Sequence, residues 1–296
     1  MGAKTKIGWC DASWNPVTGC LHDCEYCYAR KIAKRFGGCW RFDLSPDTNW
    51  RGNTISYKAL MGDYARHSDG KCHVLDEPEI ECAIINPPSG YRGKVKPYPY
   101  YFDPTFHRYR LDEPQKWKKP RTIFVCSMAD LFGEWVPDAW IQEVFSACEK
   151  APQHRYMFLT KNPGRFKSLR GNGIRLPESC WIGTSVTTDR EEADQYAGRT
   201  RYISDNWDST AHWFVSVEPI LEQMSRSSIE NLTAMHWVIV GAETGNRKGR
   251  VIPEKEWIAE IADECKRCRI PIFMKDSLRE LMGVDFRQEF PWEGEG

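Results

Sequence analysis

Short apolar runs recur along this chain with helical stretches between them, and that alternation restricts the fold more than any other feature. Candidate strands are Lys6–Cys10, Thr122–Cys126, Tyr156–Leu159, Cys180–Val186, Trp213–Val217, Trp237–Val240 and Pro271–Met274. Several are near-continuous apolar runs, as expected of parallel strands covered on both faces. A helix is expected over Tyr28–Phe36, stopped by Gly37-Gly38. A second is expected over Asp138–Lys150, where Trp140, Ile141, Val144, Phe145 and Cys148 follow a helical period. A third is expected over Glu254–Arg267, with Trp257, Ile258, Ile261 and Ala262 on its apolar side and Pro253 at its start. Repeated strand–helix alternation implies right-handed crossovers and a parallel sheet. The count predicts an α/β fold, a partial or full (β/α) TIM-like barrel, with an open doubly wound sheet as the alternative.

A chain of 296 residues suffices for one such domain over residues 1–296. Residues 39–115 break the rhythm. They are rich in Tyr, Pro, Gly and Asp and include Tyr98-Pro-Tyr-Tyr-Phe-Asp-Pro. They are expected to form a long insertion after the first strand, with a short helix near Asn53–Tyr64. Such an insertion serves as a lid or specificity element, or only as a packing appendage.

Barrel active sites gather at the C-terminal ends of strands. The polar residues just past the apolar runs are therefore candidates: Ser127 and Asp130, Thr160 and Lys161, Ser185 and Thr187, Glu218, Glu243, and Lys275 with Asp276. The loop after the first strand carries Cys20-Leu-His-Asp-Cys24-Glu-Tyr-Cys27. With 12 cysteines in the chain, chance yields this spacing about 0.02 times. Three thiolates in one short loop suit a 4Fe–4S cube, and leave one iron without a local protein ligand. The alternative is structural zinc, with the Cys24/Cys27 knuckle completed by His22 or Cys39. Cys265-Lys-Arg-Cys268 is a further thiol pair, with no second pair near it in sequence.

A formal net charge of zero gives no global signature for duplex nucleic acid or a membrane surface. Lys116-Trp-Lys-Lys-Pro-Arg121 is a local basic run, best read as a solvated lead-in to a strand. The opening residues lack the apolar core of a signal peptide, and no apolar run approaches membrane-spanning length. Twelve cysteines without a signal sequence point to a reducing cytosol, hence a cytoplasmic protein.

The three-cysteine loop, with Tyr26 before its last cysteine, resembles the cluster loop of the radical S-adenosylmethionine (SAM) superfamily. A longer resemblance links the chain to a phage- and bacterium-associated, radical-SAM-like family of unknown function. It rests on Ile7–Cys20, Trp117–Val125, Ser127-Met-Ala-Asp-Leu-Phe, Ala151-Pro-Gln-His, Leu159-Thr-Lys, Gly183-Thr-Ser-Val, Val217-Glu-Pro and Trp237–Gly245. That family often has a longer spacer between its first two cysteines. Here the spacer is the three-residue one of the wider superfamily.

The resemblance implies that Cys20, Cys24 and Cys27 ligate a 4Fe–4S cluster whose fourth iron chelates SAM. An electron from an external donor would then cleave SAM to methionine and a 5′-deoxyadenosyl radical, which abstracts hydrogen from a substrate. It also implies that Tyr26 lies over the adenine and that Ser127 and Asp130 hold the methionine amino group. Ser185 would meet the ribose or carboxylate. Glu218 and Glu243 would accept from ribose hydroxyls or serve the substrate. Each of these positions also has a plain structural reading as core aromatic, helix cap or ion-pair member. The substrate class is open between a nucleotide, a nucleic-acid base and a small metabolite. The competing function is a non-catalytic zinc- or iron–sulfur-binding module for a protein or single-stranded nucleic acid partner.

Overall fold

The computed structural model describes residues 5, 7–38, 43–48, 54–60, 69–81, 94–178, 180–190 and 212–293. The chain divides into two compact units: Met1–Trp14 with Asp112–Gly296, and Asn15–Leu111.

The first unit is built on seven strands: β1 (Ala12–Trp14), β2 (Thr122–Val125), β3 (Arg155–Thr160), β4 (Trp181–Val186), β5 (His212–Val217), β6 (Trp237–Val240) and β7 (Ile272–Met274). All neighbours pair in parallel, and sheet order follows chain order from β1 to β7. A doubly wound sheet reverses its strand order at a switch point. No reversal occurs here, so right-handed crossovers lay their helices on one face and leave the other free to curl inward. The unit is a partial (β/α) TIM-like barrel.

The two faces divide by strand alternation. On the outer face, Phe158 meets Phe145 of the helix Asp138–Glu149 at 5.5 Å, and Trp213 meets Phe166 of the helix Arg165–Gly171 at 5.8 Å. The register places Phe124, Met157, Trp181, Phe214, Trp237 and Phe273 on the opposite, inner face. They form one buried cluster, against which Phe290 and Trp292 pack. Gly183 makes this packing possible. A Cβ there would lie 2.3 Å from the Phe214 ring.

The expected strand Lys6–Cys10 is displaced: the first strand is Ala12–Trp14, and Gly8 and Trp9 form a turn. Lys6 lies outside the described residues. The apolar character of this segment has a packing cause. Trp9 is buried 4.7 Å from Phe124, at the N-terminal end of the sheet.

In the second unit, Val17–Thr18, Thr105–His107 and His73–Leu75 form a three-stranded sheet with Thr105–His107 in the middle. The helix Tyr28–Phe36 lies where expected. The short helix expected near Asn53–Tyr64 is not formed over its described part. Thr54–Leu60 is a strand, paired antiparallel with Asp43–Thr48. Thr, Ile and Tyr, as at 54, 55 and 57, are residue types enriched in strands. Asn53 and residues 61–64 lie outside the described residues. Among the described residues, no helix is long and apolar enough to cross a membrane.

Candidate functional site

Cys20, Cys24 and Cys27 sit in the second unit, on the loop between Val17–Thr18 and the helix Tyr28–Phe36. The loop enters through Gly19, whose φ of +85° is left-handed. A Cβ at Gly19 would lie 2.1 Å from the Asp103 carbonyl oxygen, so only glycine fits this close approach. The next residue, Cys20, donates its N–H to the Phe102 carbonyl at 3.1 Å. Cys27 N–H donates to the Cys24 carbonyl at 3.2 Å, closing a turn that contains Tyr26.

Cys27 caps the nine-residue helix, and its Sγ accepts the Arg30 N–H at 3.3 Å. This cap holds the sulfur at the start of the helix. Arg30 also clamps the loop. Its guanidinium pairs with Asp23, donates to the His22 carbonyl at 2.7 Å and lies over the Phe102 ring at 5.5 Å.

All three cysteines stand outside any disulfide and are half-buried, as is Tyr26. Other cysteines differ. Burial pushes Cys10 and Cys265 up to about 12, and raises Cys148 and Cys180 further. Those four remain protonated thiols at neutral pH, unsuited to ligation. Cys268 donates to the Glu264 carboxylate at 3.7 Å. Three accessible sulfurs on one pinned loop make a donor set that fits an iron–sulfur cluster. Cys39, weighed as a zinc ligand, lies outside the described residues.

The first unit carries the strand-end candidates. Toward the C-terminal end of the sheet, the inner face changes from aromatic to polar. Ser185 on β4 pairs in register with Ser216 on β5. One residue past β5 and β7 stand Glu218 and Lys275, joined in an ion pair. Gly241, one residue past β6, leaves the room they need. A Cβ there would lie 2.9 Å from Lys275 Cδ and 3.3 Å from Glu218 Cδ. Ser216 is 1% exposed, and its hydroxyl makes no hydrogen bond. Buried hydroxyls normally find a partner, so Ser216 marks this face as suited to a polar ligand.

Glu243 and Asp130 are engaged within the protein. The buried Glu243 carboxylate accepts both Nε (2.6 Å) and a terminal nitrogen (2.8 Å) of Arg247. Asp130, 5% exposed, accepts from Thr160 Oγ1 at 2.7 Å, Lys161 N–H at 2.8 Å and Phe132 N–H at 3.0 Å. It caps no helix. It ties the loop after β2 to the end of β3. Ser127 is half-buried on the same loop.

The structure thus gathers Cys20, Cys24, Cys27 and Tyr26 in one loop of the second unit, and Ser185 and Glu218 on one face of the first. Sequence reading passed over Ser216, which was visible as the residue two before Glu218, hence on the same face of a strand.

The model of the DUF5131 family, proteins of unknown function, matches residues 4–63 and 91–280. The chain belongs to the DUF5131 family. The matched stretches contain the three cysteines and all seven barrel strands, and leave out residues 64–90. No curated protein matches the sequence significantly. Among solved structures, this DUF5131 chain is similar to spore photoproduct lyase. A mutant of that protein with bound AdoMet and dinucleoside spore photoproduct is 11% identical, with a TM-score of 0.43. The match covers 91% of this chain and 65% of that one, so the chain spans about 65% of its length. A second mutant is 9% identical with a TM-score of 0.48, over 93% of this chain and 78% of that one.

Proposed function

We propose that this DUF5131 protein is a radical SAM enzyme. In this reading Cys20, Cys24 and Cys27 hold three irons of a 4Fe–4S cluster, and SAM occupies the fourth. The observation that carries the reading is the trio of half-buried cysteines within eight residues, outside any disulfide, on a loop pinned by Gly19, Arg30 and the helix cap at Cys27. When bound and reduced by an external donor, the cluster supplies reductive cleavage of SAM and hydrogen abstraction from a substrate.

The chain's own residues position and shield. The Arg30 N–H orients the Cys27 sulfur. The aromatic half of the barrel's inner face excludes water, which radical chemistry requires. The polar half, with Ser185, Ser216, Glu218 and Lys275, receives a polar substrate of nucleotide, nucleic-acid-base or small-metabolite class. Asp130 acts as a positioning residue through the loop that carries Ser127. A redox-active cluster of this kind belongs in a reducing compartment, in keeping with a cytoplasmic protein.

Incubating anaerobically purified, reduced protein with SAM tests the reading. Formation of 5′-deoxyadenosine and methionine, lost in Cys24→Ala, is the expected result. Protein that carries one zinc and leaves SAM intact would instead be the metal-binding module for a macromolecular partner.

A further inference from the structure

The second unit holds a group of metal-ligating side chains that the cysteine chemistry does not use. Asp69, His73 and Asp103 each bring one donor atom within 4.8 Å of the others. His73 Nε2 lies 3.1 Å from Asp69 Oδ1 and 3.5 Å from Asp103 Oδ2. Ligands about 2.1 Å from a shared tetrahedral or octahedral ion stand roughly 3.0–3.4 Å apart. The observed spacings are of that size.

The orientation of the ring is the second observation. His73 Nε2 is buried, and despite two nearby carboxylates it makes no hydrogen bond among the described residues. The nitrogen is therefore aimed squarely at neither oxygen, which leaves its bonding capacity for an ion. The ring is held there by face-to-face stacking on Tyr100, with centroids 3.6 Å apart and planes 3° from parallel. Backbone pairing fixes its height, because His73 N–H donates to the Pro104 carbonyl at 2.9 Å. Asp103 is buried, and its Oδ2 is oriented by the N–H groups of Asp69 (2.8 Å) and Gly70 (3.1 Å). Oriented ligands of this kind are what tight metal sites use. Asp69 is more exposed and supplies the open side.

We propose that Asp69, His73 and Asp103 bind a divalent transition-metal ion of the class that accepts imidazole and carboxylate together, such as Mn2+ or Zn2+. The site stands apart from any cluster at Cys20, Cys24 and Cys27, and its role is structural. Asp103 turns its side chain to the ion and its carbonyl to Gly19, while Phe102 receives the Cys20 N–H. An ion here fixes the backbone behind the cysteine loop. Asp69 and His73 lie in the stretch that the family match leaves out, and Asp103 lies within the matched residues.

Mn2+ is the probe of choice, because it disfavours thiolates and so ignores the cysteines. Electron paramagnetic resonance of metal-stripped full-length protein titrated with Mn2+ counts the bound ion. One Mn2+ per chain is expected, retained in Cys20→Ser and bound at least ~10-fold more weakly in His73→Gln. If His73→Gln fails to fold, as judged by circular dichroism, Asp69→Asn, on an exposed turn, is expected to show the same weakening. No bound Mn2+ at millimolar concentration overturns the proposal. So does equal affinity in a folded His73→Gln or Asp69→Asn, which would leave a polar side-chain cluster that holds no metal.

Discussion

Glu218 and Lys275 form an ion pair directly over the α-carbon of Gly241, from strand ends on either side of it. Both side chains are about a quarter exposed, so the pair adds little stability by itself. Its position at the polar end of the inner face is what matters. Gly241→Ala would put a methyl 2.9 Å from Lys275 Cδ. The lysine stem can move, so the expected cost in urea unfolding is about 1 kcal/mol. SAM turnover is expected to fall further than stability, because the displaced ammonium and carboxylate face the proposed substrate.

Gly183 and Phe214 define a tighter relation, since a Cβ at Gly183 would meet the Phe214 ring at 2.3 Å. Phe214 is fully buried and cannot swing aside. Gly183→Ala is therefore expected to cost about 3 kcal/mol, at the upper end for overpacking. Adding Phe214→Leu should recover part of that loss. Urea denaturation of the two single variants and the double variant measures the coupling.

The loop tie made by Asp130 is separable by experiment from a contact with SAM. As a loop tie, its carboxylate satisfies two N–H groups and the Thr160 hydroxyl. Asp130→Ala strands them in a buried site, so about 2–4 kcal/mol of stability should be lost. If the residue acts only through the loop, apparent turnover should fall with the population of folded protein while KM for SAM stays unchanged. A change in KM for SAM in fully folded Asp130→Asn would instead mark direct contact with the cofactor.

His107 makes the second unit acid-sensitive. It is fully buried, and Thr18 Oγ1 lies 2.8 Å from its Nε2. Burial, with Arg110 nearby, lowers its pKa from 6.5 to about 3. Between these values the unfolded chain binds a proton that the folded one refuses. Stability is then complete above pH 6.5 and falls with acidification at up to about 1.4 kcal/mol per pH unit, until about pH 3. His107→Gln should flatten that slope in pH-dependent urea melts. An unchanged slope would locate the acid sensitivity elsewhere.

Much of the first unit was legible because its physics is local. Six of the seven strands were recognisable as apolar runs covered on both faces, and the helices Asp138–Glu149 and Lys255–Cys268 by their period. The first strand was misplaced because Trp9 is apolar for a different reason: it packs on the aromatic cluster instead of extending the sheet. Thr54–Leu60 reads as helix or strand with nearly equal ease until its partner Asp43–Thr48 is known. The cysteine loop was legible from spacing alone. The shared face of Ser185 and Ser216 was not, since it depends on the β4–β5 register. Nor was the meeting of His73 with Asp103, which depends on pairing across thirty residues of chain.

Chemical analysis of iron and acid-labile sulfide in protein purified without oxygen tests the central claim most directly. About four irons and four sulfides per chain are expected, falling sharply when Cys20, Cys24 or Cys27 is replaced by alanine and unchanged in Cys268→Ala. Folded protein that takes up no iron, or that holds one zinc at the same three cysteines, would contradict the account.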